Sequence, residues 1–331
     1  MSSPQGTSQN RLHEPQPADV VWRRGPARLL RYRAQAQAPR RGVAPVVLVP
    51  SLINRAAILD LRPGQSLVEH LVQAGLDVYS IDWGEPSGAD AHLDLKAYAL
   101  RLLPSALLAA RRESGADSVH VFGYCLGGTL GLIAAAARPA GIASLLTLTT
   151  PVDLSETGSM GVLTDERLLD LERLIRAWPV IPGPALWAAF QALDPTGNLR
   201  KARRYKQNDD PEFRARFEAQ EAWLNDPVPA TAKAIRDVVQ LYRSNSLARG
   251  ELSLGGRRVS LARGRAPVLN LVAEYDTIVP RSAAEALDGL WGGEVVTRSF
   301  RAGHIGITVG RRAPAELWAE ATTWLFEREG A

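Results

Sequence analysis

Phe122-Gly123-Tyr124-Cys125-Leu126-Gly127-Gly128 is the stretch that decides the fold. An apolar run, Ser118 to Phe122, leads into it, and an Ala-rich run, Leu126 to Ala137, follows. Strand, sharp turn, helix is the setting of a nucleophile elbow, in which a reactive side chain is lifted onto a strained corner. The flanking Gly123 and Gly127 lack side chains, so strand and helix can close on one another, and Gly128 adds room in the first turn. The helix N-terminus presents N–H groups and partial positive charge to the corner, which favours an anionic sulfur there. Cys125 is the chain's one cysteine. A single thiol rules out an internal disulfide framework and a Cys-rich zinc site. Such a thiol is ordinarily an inert buried hydrophobe; at the elbow position it reads instead as a nucleophile.

Working outward, apolar strands alternate with helices. Val46–Val49, Asp77–Ile81, Ser118–Phe122, Ile142–Leu148, Pro267–Ala273 and Glu294–Phe300 read as strands. Ser66–Ala74, Leu93–Arg112 with a kink at Pro104, Leu126–Ala137, Ala283–Leu290 and Ala313–Phe326 read as helices. That alternation predicts a mostly parallel sheet covered on both faces. With the elbow it resembles the α/β-hydrolase fold. Residues 151–250 break the pattern with helical segments, prolines and most of the large aromatics, and read as an inserted helical cap. The expected organisation is a polar, disordered arm over 1–19, a core over 20–150 and 251–331, and the cap between.

A nucleophile needs a base, and the base an orienting acid, in the chain order nucleophile, acid, base. There are five histidines. His13 lies in the arm, His70 and His92 precede the elbow, and His120 sits inside the elbow strand as a satisfied core group. His304, in Ala302-Gly303-His304-Ile305-Gly306, is left as the base. Glu274-Tyr275-Asp276 follows the strand at 267–273; Asp276 is favoured as the acid over Glu274, which lies nearer the strand. The oxyanion hole would take the Leu126 N–H and a second N–H from Pro50-Ser51-Leu52-Ile53-Asn54-Arg55, given by Ile53 or Leu52.

Composition bounds the rest. The chain has 331 residues, 46% hydrophobic and 22% charged, with net charge +4. These are the values of an ordinary soluble globular protein. No run reaches the ~18 apolar residues of a membrane span, and MSSPQGTSQN has no apolar h-region, so a cytoplasmic protein without a transmembrane segment is expected. Arg23, Arg24, Arg28, Arg31, Arg33, Arg40 and Arg41 crowd the early chain. They read as a solvated, partly disordered arm rather than as a patch for nucleic acid or another anionic partner. No metal-ligand cluster, phosphate loop or dinucleotide fingerprint appears.

A cysteine where this fold normally carries serine suggests acyl transfer from a thioester. Thiol attack on an acyl-CoA gives another thioester at nearly equal energy, so the acyl group stays activated. The residues resemble the poly(3-hydroxyalkanoate) synthases, most closely the short class III catalytic subunit, from about residue 44 to the C-terminus. The similar stretches are Val49-Pro50-Ser51-Leu52-Ile53-Asn54-Arg55 with Ile58-Leu59-Asp60-Leu61, Tyr79-Ser80-Ile81-Asp82-Trp83-Gly84, the Cys125 box, and Thr150-Pro151-Val152-Asp153. Trp223-Leu224-Asn225-Asp226, Gly250-Glu251-Leu252, Asp276-Thr277-Ile278-Val279-Pro280 and Gly303-His304-Ile305-Gly306 complete the set.

The resemblance implies polymerisation of (R)-3-hydroxyacyl-CoA on Cys125, with coenzyme A released as the carrier and no other cofactor or metal. It implies that His304 activates Cys125, and that Asp276 orients His304 or helps deprotonate the 3-hydroxyl of the incoming monomer. A homodimer, granule association and a small helical partner subunit are also implied. Many family members carry His directly after the acid, where this chain has Thr277, and residues 155–215 match less well. Trp83 reads as a packing residue. Arg203 and Arg204, in the cap run Arg200–Lys206, are candidates for the CoA phosphates. The alternatives are a polyester depolymerase or acyl-CoA thioesterase on the same fold, and a non-catalytic interaction module.

Overall fold

The computed structural model describes residues 16–33, 43–137, 140–167, 170–193 and 196–328. Its eight-stranded sheet comprises β1 (Ala18–Arg24), β2 (Ala27–Tyr32), β3 (Val46–Val49), β4 (Val78–Asp82), β5 (Val119–Tyr124), β6 (Ile142–Leu148), β7 (Val268–Ala273) and β8 (Val295–Phe300). The spatial order is β1-β2-β4-β3-β5-β6-β7-β8. β1 and β2 form an antiparallel hairpin, β2 runs antiparallel to β4, and the other neighbours are parallel. This is the α/β-hydrolase fold expected from the elbow and the strand–helix alternation.

The inner strands are continuous apolar runs because helices cover both faces. Val47, Val49, Ile81 and Val121 face one layer, built on α2 (Leu103–Ser114) and α3 (Leu126–Ala137). Val46, Leu48, Val78 and Phe122 face the other, which holds α1 (Leu67–Gln73) and the C-terminal helix Ala319–Glu327. Each buried Leu, Ile or Val adds about 1.5–3 kcal/mol. α3 is buried almost all round, which its glycines and alanines permit.

Three expectations need correcting. The arm expected over 1–19 ends sooner, since β1 begins at Ala18; residues 1–15, with His13, lie outside the described residues, as do Arg40 and Arg41. The arginines at 23–33 are not in a loose arm. They lie in or beside the β1–β2 hairpin, and three of them pair with acids: Arg28 with Asp82, Arg31 with Asp77 and Glu113, and Arg33 with Asp19. Finally, the helix expected over 93–112 contains a wide π-turn, Tyr98–Leu102, after which α2 starts with Pro104 in its first turn. The missing proline N–H is absorbed by that wider turn.

Between β6 and β7 lie α4 (Leu171–Ala177), α5 (Gly183–Ala192), α6 (Gly197–Lys206), α7 (Pro211–Leu224) and α8 (Ala232–Ser244). Ile181, Leu186, Ala230 and Ala232 form a small core of their own. Ala234, Val238 and Leu241, spaced to share one face of α8, pack instead into the main core. The Thr231 hydroxyl donates to the Leu93 carbonyl at 2.7 Å, and Asp237 accepts from the Leu95 N–H at 3.2 Å. α8 therefore joins the inserted helices to the body of the fold.

Candidate active site

Cys125 stands between β5 and α3 with φ of 53°. A side-chain-bearing residue in this left-handed region costs about 1–3 kcal/mol, a strain that clusters at functional corners. Two bonds hold it there: the Cys125 N–H donates to Leu148 O at 2.8 Å, and the Gly128 N–H donates to Cys125 O at 2.9 Å. The glycines act through space. A Cβ on Gly123 would lie 2.3 Å from Gly128 Cα, and one on Gly127 would lie 1.9 Å from Val49 O. Gly128 does more than add room, since its Cβ would lie 1.9 Å from Thr150 Oγ1.

The loop after β8 brings His304 to this corner, and the loop after β7 brings Asp276. His304 Nδ1 lies 2.6 Å from Asp276 Oδ2, which leaves Nε2 for the Cys125 thiol hydrogen-bonded to the same imidazole. Asp276 Oδ1 accepts from the N–H groups of Ile278 and Val279, each at 2.9 Å. Glu274 continues the sheet instead, its backbone N–H donating to Phe300 O at 2.9 Å. Burial of the His304 ring opposes its charge. Interaction with Cys125 and hydrogen bonding to the Asp276 carboxylate outweigh that and push the imidazole up to about 10.

Two phenols that sequence reasoning did not single out face the same groups. Tyr124 is buried against His304, with ring centroids 5.4 Å apart. Burial, then electrostatic interaction with Cys125 and Asp276, raise Tyr124 and Tyr242 well above the ordinary phenol value. Both remain protonated at neutral pH. Tyr124 could be noticed from its place in the elbow; Tyr242, on α8, carries no local signal. His120 is a satisfied core residue, with Nδ1 2.8 Å from Ser144 Oγ.

Leu126 opens α3, where N–H groups have no intrahelical acceptor. Leu52 lines the same narrow cleft as Leu126, together with Trp83, Tyr98, Thr231 and Val238. Trp83 is a packing residue, 5% exposed, and its indole N–H also donates to Pro50 O at 3.0 Å. At the other end of the loop, Trp223 Nε1 donates to Arg55 O at 2.8 Å, and the Arg55 guanidinium pairs with Asp226 and Glu85.

Arg203 and Arg204 are not joined to this cluster by any contact among the described residues. Both are exposed on α6. Arg204 lies over the Phe213 ring, 5.2 Å from its centroid. Among the described residues no group of His, Cys, Asp and Glu could hold a metal ion, and no helix is long and apolar enough to cross a membrane.

The family model of the alpha/beta hydrolase fold matches residues 44–310. Solved structures with the same fold include the monoacylglycerol lipase of Paleococcus ferrophilus (TM-score 0.54, 21% identity, covering 90% of this chain and 99% of that one). A thermostable carboxyl esterase from Bacillus coagulans is another (TM-score 0.59, 13% identity, 92% and 94% covered). At those identities the likeness concerns the fold alone. Among curated proteins, the poly(3-hydroxyalkanoate) polymerase subunit PhaC of Haloferax mediterranei is 33% identical over 94% of this chain, which spans 64% of that relative's length. The PhaC subunit of Allochromatium vinosum is 31% identical, with 94% of this chain and 89% of the relative covered. The chain therefore belongs to the α/β-hydrolase fold family and, within it, to the poly(3-hydroxyalkanoate) polymerase PhaC family.

Proposed function

We propose that this chain is an acyltransferase that polymerises (R)-3-hydroxyacyl-CoA through a covalent acyl-Cys125 intermediate and releases coenzyme A. The observation that carries the reading is a cysteine at the strained elbow, hydrogen-bonded to His304, in a chain similar to PhaC polymerases along nearly its whole length. In the first half-reaction the Cys125 sulfur attacks the thioester carbonyl. The new C–S bond to Cys125 forms, the bond to CoA breaks, and the departing CoA sulfur takes the proton from His304. In the second, His304 accepts the 3-hydroxyl proton of an incoming 3-hydroxyacyl-CoA, whose oxygen forms the ester bond as the C–S bond to Cys125 breaks and the sulfur leaves as thiolate beside the protonated imidazole. The lengthened acyl-CoA then reacylates Cys125 by the first half-reaction, releasing CoA.

Asp276 serves best as the group that orients His304. Its side chain is 1% exposed and both of its oxygens are engaged, which disfavours direct contact with a monomer hydroxyl. Leu126 and Ile53, or its neighbour Leu52, give the N–H groups for the oxyanion. We take 151–250 as the cap over this site, with Arg203 on its surface presented to CoA phosphates. Coenzyme A is carrier and leaving group, and the cycle calls for no other cofactor. From the resemblance we also propose action at cytoplasmic polymer granules, a homodimer and a small helical partner subunit.

The test is purified protein with 3-hydroxybutyryl-CoA, following thiol release and turbidity together. Release of CoA with insoluble polymer supports the reading. Free hydroxy acid instead of polymer would assign a hydrolase, and a Cys125→Ala variant that releases CoA as fast as wild type would remove the cysteine mechanism.

A further inference from the structure

We infer that the segment Trp223–Asp226, at the end of α7, is a positioning element for the oxyanion loop, with the Arg55–Asp226 pair as its main tie. The inference rests on acyl transfer at Cys125 and adds what sets the geometry of that step.

The loop leaves β3 after Val49 and is tied down at both ends. On the core side, Trp83 Nε1 donates to Pro50 O at 3.0 Å. α3 packs so closely behind it that a Cβ on Gly127 would lie 2.7 Å from Pro50 O. On the inserted side, Asn54 forms a β-bridge with Pro227, and Trp223 Nε1 donates to Arg55 O at 2.8 Å. Asp226 receives one edge of the Arg55 guanidinium side-on, Nε to Oδ2 at 2.5 Å and Nη2 to Oδ1 at 3.1 Å. Only residues 51–53 lie between the two sets of ties, and both candidate N–H donors, Leu52 and Ile53, are among them.

A three-residue span fixed at both ends has little freedom of its own. Where its N–H groups point is set by how the two anchors sit, and one anchor belongs to the inserted helices. Trp223 is 4% exposed and packs into the core beneath the loop with Ile58 and Leu59, so its indole N–H has a fixed origin. The fork-to-fork pairing of Arg55 with Asp226 adds direction as well as distance. A donor displaced by about 1 Å can cost about 100-fold in rate. These residues do not touch substrate; they act through the loop.

A positioning role separates from simple cap stability because an oxyanion hole assists attack on a carbonyl but not displacement at saturated carbon. The experiment compares wild type with Asp226→Asn and Trp223→Phe. It measures single-turnover CoA release from 3-hydroxybutyryl-CoA, KM, and the rate of Cys125 alkylation by iodoacetamide. The expected result is CoA release slowed about 10- to 100-fold, with alkylation within about twofold of wild type and KM little changed. Trp223→Phe keeps the buried ring and loses only the N–H, so it carries the comparison if Asp226→Asn folds poorly. Unchanged CoA release in the variants overturns the inference, as does a parallel fall of CoA release and alkylation. Wild type that releases no CoA would instead overturn the acyl-transfer reading beneath it.

Discussion

His304 Nδ1 and Asp276 Oδ2 are 2.6 Å apart, and the other oxygen of that carboxylate is held by two backbone N–H groups. Three donors thus converge on two acceptor oxygens. An asparagine has one acceptor oxygen, so in either orientation its NH2 group would meet an N–H. Asp276→Asn therefore loses the imidazole's anchor or the loop's. The tautomer with Nε2 free for the sulfur is no longer favoured, and kcat for CoA release should fall about 1,000-fold or more. Steady-state CoA release checks this; a loss below about tenfold would mean that Asp276 does not orient the base.

The charge on His304 makes a separate prediction about stability. Its folded value, about 10, lies above the ordinary 6.5, so the folded protein holds this proton more tightly than the unfolded chain does. The resulting stabilisation is complete below about pH 6.5, declines as pH rises, and is gone above about pH 10. Melting temperatures of wild type and His304→Gln, compared from pH 6 to 10.5, should differ most at the acidic end and converge toward the basic end. A gap that is constant or widens with pH would show that the imidazole is not charged in the fold.

Most of this centre was legible because its signals are local. The elbow's glycines, the apolar runs of β3, β5, β6 and β7, and the short motifs around Cys125, Asp276 and His304 are each readable within a few residues. What escaped depends on distant partners. The β1–β2 hairpin is an edge structure in which Arg28 and Arg31 pair with Asp82, Asp77 and Glu113, so only the folded sheet distinguishes it from a solvated basic arm. The π-turn before Pro104 has the same apolar content as an α-helix and leaves no trace in periodicity. Trp223 and Asp226 were visible as part of a resemblance, but their tie to Arg55 spans 168 and 171 positions. Tyr242 reaches the site only because α8 packs into the main core.

Gly128 offers a test of the elbow by paired substitution. In Gly128→Ala the new methyl would overlap Thr150 Oγ1 at 1.9 Å and crowd Cγ2 at 2.8 Å. Overpacking of this kind costs about 1–3 kcal/mol, a drop of several degrees in Tm. Thr150→Ala removes those two atoms and leaves only its own Cβ, 2.9 Å away. The Thr150 hydroxyl makes only a 3.5 Å contact with Leu148 O, so little is lost with it. The double variant should recover most of the stability, a non-additive result. Gly127→Ala meets the Val49 carbonyl at 1.9 Å instead, and no side-chain change can relieve it. Equal Tm losses for Gly128→Ala with and without Thr150→Ala would place the strain elsewhere.

Cys125→Ser tests why sulfur occupies the corner. The serine hydroxyl would sit on the same strained backbone beside the same imidazole, so attack on the thioester remains possible, though slower. The product would be an oxygen ester rather than a thioester, and the step would run downhill by the difference between the two. Transfer from that ester to another hydroxyl then has no remaining driving force beyond ester-for-ester exchange. The expected outcome is slow release of about one CoA per site, an acyl-serine adduct that accumulates to be seen by intact-protein mass spectrometry, and no turbidity. If Cys125→Ser made polymer at a rate near wild type, the thioester's retained activation would not be what the cysteine contributes, and the case for transferase over hydrolase chemistry would lose its thermochemical basis.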